Sequence, residues 1–205
     1  MVSITIDGNI GAGKSTILSF LRDVGKYAIH VEPVEEWVPF LVDMYEDNKD
    51  AFEFQVKVWT DRCFMPQYSP KLITCIERSP HFQWNVFSKA NYENGKLNER
   101  HMSLLETLYH RPSYTPDLYI YLQSDPNNCM KRIQKRERKC EQGIPTEYVA
   151  RIHELHEQAF ATLPKTAEKV CIHIEHKTIE EIGWEVLLTI RQYLNRRKSV
   201  DDEYF

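Results

Sequence analysis

Gly8 to Ser15 read GNIGAGKS, which matches G-x-x-x-x-G-K-[ST]. Glycines at these positions let the backbone turn successive N–H groups toward a phosphate. Lys14 adds a cation near the transferable phosphate, and the Ser15 hydroxyl is suited to Mg²⁺. A short β-type run (Val2 to Ile6) precedes the motif and a helical pattern follows it, so the helix dipole would favour the same anion. Nucleotide phosphate binding by Gly8, Asn9, Ile10, Gly11, Ala12, Gly13, Lys14, Ser15 and Thr16 is the expectation. GTPases, motor ATPases and small-molecule kinases all carry such a cradle. No base-reading N-K-x-D element accompanies it, which argues against a GTPase.

Two further groups carry acceptor chemistry. VEPVEEW places Glu32 just after the second β-type run, where a carboxylate can take the proton of an attacking hydroxyl. CIERSP places Glu77 and Arg78 after the third run. Glu77 is suited to hold Mg²⁺ or its water, and Arg78 to steady developing phosphate charge. Taken singly, a solvated loop glutamate and a structural ion pair explain these residues equally well. On consecutive strand ends they describe a reaction centre.

A basic cluster stands apart. Six basic side chains lie between Lys131 and Lys139, in CMKRIQKRERKCEQGIP. Such a cluster suits nucleic acid, a solvated helix face or a clamp on phosphates. SDPNNC (124–129) offers Ser, Asp and Pro as a helix start. Arg132 and Arg136 then lie one turn apart on one face, with Arg138 where the helix should end.

These residues need a frame to position them. β-type runs recur at 27–31, 71–76, 117–122 and 169–174, as continuous apolar stretches typical of buried parallel strands. Helical stretches at 97–110, 126–139, 146–162 and 178–197 alternate with them. The alternation predicts an α/β fold, a parallel five-stranded sheet flanked by helices. Turn signals at 92–96 and 111–117 fall between elements. There is no internal repeat and no linker-like stretch, so residues 1–205 read as one domain.

The net charge is −4, which counts against nucleic acid as a partner and favours reading the basic cluster as a site. The five cysteines are odd in number and scattered, which predicts a reduced, cytoplasmic protein. No stretch is long enough to span a bilayer, and a motif beginning at Gly8 leaves no room for a targeting peptide.

GNIGAGKST, EPVEEW, FQ followed seven residues later by Arg62, ERS, YLQ and the arginine-rich segment ending EQGIP stand in a specific order. In that order, from Ile4 to about Phe160, the chain resembles the deoxyribonucleoside kinase family. The resemblance implies a P-loop fold with a short arginine-rich lid at about 131–143. ATP would be the phosphate donor, Mg²⁺ the metal at Ser15 and Glu77, and a homodimer the assembly. By resemblance Glu32 is the general base on the sugar 5′-hydroxyl, with Arg78 and Lys14 beside it in the transfer. Gln55 pairs bidentately with the base edge, and Trp37 and Phe87 line or sandwich the base. Tyr45 and Glu141 read the 3′-hydroxyl, which implies a deoxyribose acceptor. Arg132, Arg136 and Arg138 match lid arginines that close over the donor phosphates, whereas Lys131, Lys135 and Lys139 match nothing and read as solvated. Arginine suits a lid because its planar fork binds phosphate oxygens in pairs and stays charged.

At one position the chain departs from its relatives. Where they carry a small or acidic residue facing the exocyclic group of the base, this chain has Gln83 beside a retained Arg62. An amide can accept from cytosine or donate to thymine, so the expected substrates are thymidine and deoxycytidine, with purines weaker. A thymidylate kinase would need a basic pocket for the acceptor's phosphate, and EPVEEW and EQGIP argue for a nucleoside instead. A catalytically silent nucleotide-binding protein should have lost some of Lys14, Ser15, Glu32, Glu77 and Arg78, yet all are present.

Overall fold

The structure is a computed structural model that describes residues 2–45, 51–65, 73–112, 114–141 and 143–203, without the side chains of Tyr45 and 198–203. Five parallel strands form one sheet: β1 (Val2–Gly8), β2 (Ala28–His30), β3 (Ile73–Glu77), β4 (Leu118–Gln123) and β5 (Glu168–His173), ordered β2-β3-β1-β4-β5. β1 lies at the centre, with Ile6 paired to Glu77 of β3 and Gly8 to Leu122 of β4. Ile4, Ile6, Leu118, Ile120 and Leu122 are fully buried, as a sheet covered on both faces requires.

Helices supply the two covers. α1 (Lys14–Asp23) buries Ile17, Leu18 and Leu21 against the sheet, on the same side as α9 (Ile179–Glu203). A Cβ on Gly183 of α9 would meet the Phe20 ring at 2.7 Å, so glycine permits that close approach. α8 (Thr146–Thr162) buries Ile152, Leu155, His156 and Ala159, a face repeating every three to four residues. α7 (Pro126–Arg136) starts at Asp125, whose side chain accepts from Asn127 N–H at 2.8 Å, with Pro126 in its first turn. It ends at Arg136 because Glu137 turns left-handed (φ 52°), three residues short of the stretch expected to 139. A 3₁₀ turn (Lys139–Glu141) follows.

Three helical segments were absent from the expected pattern. α2 (Val34–Tyr45) and α3 (Phe52–Cys63) lie between β2 and β3. After β3, α4 (Pro80–Phe82) continues through a π-helical turn (Gln83–Ser88) into α5 (Lys89–Glu93). α6 (Glu99–Tyr109) then carries an Asn98 capping box. Among the described residues no helix is long and apolar enough to cross a membrane.

Candidate active site

β1 delivers the phosphate cradle. Gly8, Gly11 and Gly13 have φ of 155°, 78° and 89°, a path that side-chain-bearing residues resist. A Cβ on Gly11 would sit 2.5 Å from the Cys129 carbonyl oxygen, so α7 also demands glycine there. Asn9 anchors the loop, its Nδ2 donating to Val149 O at 3.0 Å. Lys14 Nζ donates to Asn9 O at 3.1 Å and lies 3.8 Å from Glu77 Oε1. Burial, and then the Arg78 cation, lower the Lys14 pKa below its ordinary value.

The parallel register brings the ends of β1, β2 and β3 together. Ser15 Oγ donates to Glu77 Oε1 and Oε2 at 3.2 and 3.1 Å. One carboxylate and one hydroxyl form an oxygen set of the kind Mg²⁺ takes alongside substrate phosphates and water. Arg78 adopts a left-handed backbone (φ 63°) directly after β3. Its carbonyl oxygen accepts from Arg62 Nη1 at 2.7 Å and Tyr114 Oη at 2.9 Å, which hold the turn.

The Arg78 side chain is nearly enclosed. Nε donates to Glu32 Oε1 at 2.8 Å, and Nη1 lies 3.4 Å from Gly8 O and 3.5 Å from His156 Nε2. The guanidinium stacks over the Phe87 ring, 4.0 Å from its centre. Arg62 Nη2 adds a second cation to Glu32 Oε1 at 3.0 Å. Burial alone would raise the Glu32 pKa, but Arg78, Arg62 and Lys14 outweigh it and hold this carboxyl below the ordinary carboxylate value. Glu77 goes the other way, raised by burial and by the neighbouring Glu32 charge.

One cavity joins these groups. Its phosphate end carries Lys14, Ser15, Thr16, Glu32, Glu77 and Arg78. Trp37, Gln83 and Phe87 line the other part, with Trp37 fixed by an Nε1 bond of 2.7 Å to Asp61 Oδ2. Gln55 and Arg62 do not line it. Gln55 is fully buried and bonded through Oε1 to Gln83 Nε2 at 3.1 Å, and Arg62 stands behind Glu32.

The basic cluster divides. Arg136 and Arg138 line the cavity and engage Glu141: Arg136 Nε and Nη2 donate to it at 3.1 and 2.6 Å, and Arg138 lies 3.5 Å away. Arg132 turns aside, with Nη1 on Ser124 Oγ at 2.9 Å, and Ser124 in turn donates to Glu175. Lys131, Lys135 and Lys139 are exposed, as expected. The Tyr45 side chain lies outside the described residues. Met44, Phe54, Asn91 and Tyr148 line the cavity without having been singled out in the sequence. Only Phe54, next to Gln55 in the FQ pair, carried any local signal.

A family model described as deoxynucleoside kinase matches residues 4–194. Putative kinase protein 143R of Invertebrate iridescent virus 6 is 32% identical over 198 residues, covering 95% of this chain and 100% of that protein. Human mitochondrial thymidine kinase 2 is 29% identical over 189 residues, covering 84% of this chain and 71% of that protein. Among solved structures, deoxyadenosine kinase from M. mycoides with bound dCTP superimposes with a TM-score of 0.79 at 25% identity, covering 93% of this chain and 99% of that one.

Proposed function

The chain belongs to the deoxynucleoside kinase family, and from that premise we propose how its residues divide the ATP-dependent transfer. The γ-phosphoryl group passes from ATP to the 5′-hydroxyl of a deoxynucleoside held in the Trp37–Phe87 part of the cavity. The observation that carries this reading is the Glu32–Arg78 pair, set beside Lys14 and Ser15 at the carboxyl edge of β1, β2 and β3.

Glu32 takes the hydroxyl proton. Both arginines hold Oε1, which leaves Oε2 as the accepting oxygen. A carboxylate with a lowered pKa is a weak base, and phosphoryl transfer asks for little more than positioning and late proton removal. Arg78 orients the acceptor oxygen and meets charge that develops on the phosphoryl group. The cradle from Gly8 to Thr16 binds the donor phosphates, with Lys14 nearest the transferred group.

Ser15 and Glu77 would hold Mg²⁺, which when bound supplies charge neutralisation across the phosphate oxygens. Residues of about 131–143 act as the lid within one 1–205 domain, Arg136 and Arg138 leaving Glu141 for the donor phosphates. Arg132 would join them from Ser124. Glu141, with Tyr45, then reads the 3′-hydroxyl.

Thymidine and deoxycytidine are the proposed acceptors, read by Gln55 and Gln83 with Arg62 behind, and purines follow more weakly. A homodimer and a cytoplasmic setting belong to the same proposal, and five unbridged cysteines support a reducing compartment. The test is phosphorylation of all four deoxynucleosides with ATP by wild type and by Glu32→Gln. Turnover of a pyrimidine nucleoside that Glu32→Gln abolishes is expected. No turnover of any deoxynucleoside would overturn the kinase assignment, and a purine preference would overturn the base assignment.

A further inference from the structure

Ser88 closes the π-helical turn and has no part in the transfer set out above. Its side chain and that of Gln55 are fully buried. Ser88 Oγ donates to Gln55 Oε1 at 2.9 Å, and Gln83 Nε2 donates to the same oxygen at 3.1 Å. On the other side of the hydroxyl, Trp59 Nε1 lies 3.4 Å from Ser88 Oγ. An indole N–H can only donate, so the hydroxyl accepts there and its single hydrogen goes to Gln55.

The amide orientation follows from that chain of bonds. Turning both amides round would preserve the Gln55–Gln83 bond but aim an amide N–H at Ser88 Oγ, which already accepts from Trp59, and take from the hydroxyl hydrogen its Gln55 acceptor. In the observed orientation Gln55 Oε1 has both lone pairs engaged. What remains is Gln55 Nε2, buried and without a protein partner among the described residues. Buried donors without partners are rare enough in native proteins to mark a place that a ligand completes. Gln83, bonded to this amide, lines the cavity and keeps its own Oε1 for a ligand.

We propose that Ser88 is a positioning residue that sets base selection: by holding Gln55 Oε1 it turns the donor end of the amide toward the substrate base. Gln55 therefore reads an acceptor on the base, and Gln83 Oε1 meets the base's donor, so two side chains share the reading that one freely turning amide would do alone. A π turn serves this purpose because its wider spacing sets Gln83 and Ser88, five residues apart, against one partner. The inference rests on the assignment of Gln55 and Gln83 to the base site.

The experiment measures kcat/KM for deoxycytidine and thymidine in wild type, Ser88→Ala and Ser88→Thr. Loss of the hydroxyl frees the amide to turn, so Ser88→Ala should move the deoxycytidine-to-thymidine ratio by about fivefold or more, with KM for ATP within about twofold. Ser88→Thr, which keeps the hydroxyl, should return the ratio to within about twofold of wild type. An unchanged ratio in Ser88→Ala overturns the proposal. So does a shifted ratio that Ser88→Thr fails to restore, because packing would then be its cause. Should Ser88→Ala not fold, Ser88→Cys, whose thiol is a poor donor, reads the same ratio under the same criterion. Wild type inactive on every deoxynucleoside would overturn the site assignment beneath it, whereas an active wild type with an unmoved ratio overturns this inference alone.

Discussion

Arg78 Nε meets Glu32 Oε1 at 2.8 Å from a residue whose own backbone is left-handed, at φ 63°. A non-glycine residue in that region costs about 1–3 kcal/mol, and Arg62 and Tyr114 hold it there through the Arg78 carbonyl. The strain and the ion pair separate by mutation. Arg78→Ala and Arg78→Gly should both lower kcat by about 100-fold or more, since both remove the guanidinium. Arg78→Gly should be the more stable by about 1 kcal/mol, because glycine accepts positive φ freely. Steady-state kinetics and denaturant melts check the two halves. Equal stabilities would show that the left-handed turn stores no strain.

Glu32→Gln keeps shape and hydrogen bonding but cannot take a proton. Its kcat should fall by roughly 100-fold or more, with KM for ATP little changed. Full turnover would remove Glu32 from the base role while leaving the family assignment untouched.

Glu141 is bound by the Arg136 fork, so neither group is available to a ligand until they part. Arg136→Ala and Arg138→Ala should each lower kcat by about tenfold or more while thermal stability falls far less, since either variant leaves buried Glu141 the other arginine as partner. Glu141→Gln should instead raise KM for the deoxynucleoside and spare KM for ATP. Silent results for both arginine variants would refute the lid.

His156 donates through Nδ1 to Ile152 O at 2.7 Å and presents Nε2 to Arg78, 3.5 Å away. Burial first, then the Arg78 charge, drive its pKa well below the ordinary 6.5. The unfolded chain takes up a proton near pH 6.5 that the native site refuses until lower pH. Stability is therefore full above that point and falls as the pH drops below it, by up to about 1.4 kcal/mol per pH unit for one proton. His30, lowered by burial and Arg62, adds to the slope. His156→Phe should flatten it, which denaturant melts at about pH 5 and about pH 7.5 would show; an unaltered slope would mean that His156 accepts a proton in the native state.

The parts of the site that were legible in the sequence are those whose chemistry is local. The cradle is continuous in the chain, and Glu32, Glu77 and Arg78 follow apolar runs that mark strand ends. α2 was not legible because its segment carries Pro33 before the helix and Pro39 inside it, which read as breaks. The π-helical turn has no composition of its own, so the Ser88–Gln55 contact could not be foreseen across 33 residues. By resemblance Arg62 belongs beside the base, and the structure has it on Glu32, a partner 30 residues away that the packing of α3 beside the ends of β2 and β3 brings near. Helical spacing puts Arg132 one turn from Arg136, and both lie in α7. What spacing does not carry is the pull of Ser124 and Glu175, which turns its side chain aside.

The strand order β2-β3-β1-β4-β5 sets two workshops either side of a shared bench. Every group proposed to meet the base lies between positions 37 and 87, in the segments that follow β2 and β3. The groups proposed to grip the donor from above follow β4 on the opposite flank. Drift in one stretch of gene can therefore alter which nucleoside is chosen without disturbing how the triphosphate is held. A lineage pressed by new nucleoside pools has room to retune the first while inheriting the second intact, and Glu141, bonded to a lid arginine and proposed to read the sugar, is where the two halves would have to stay in step.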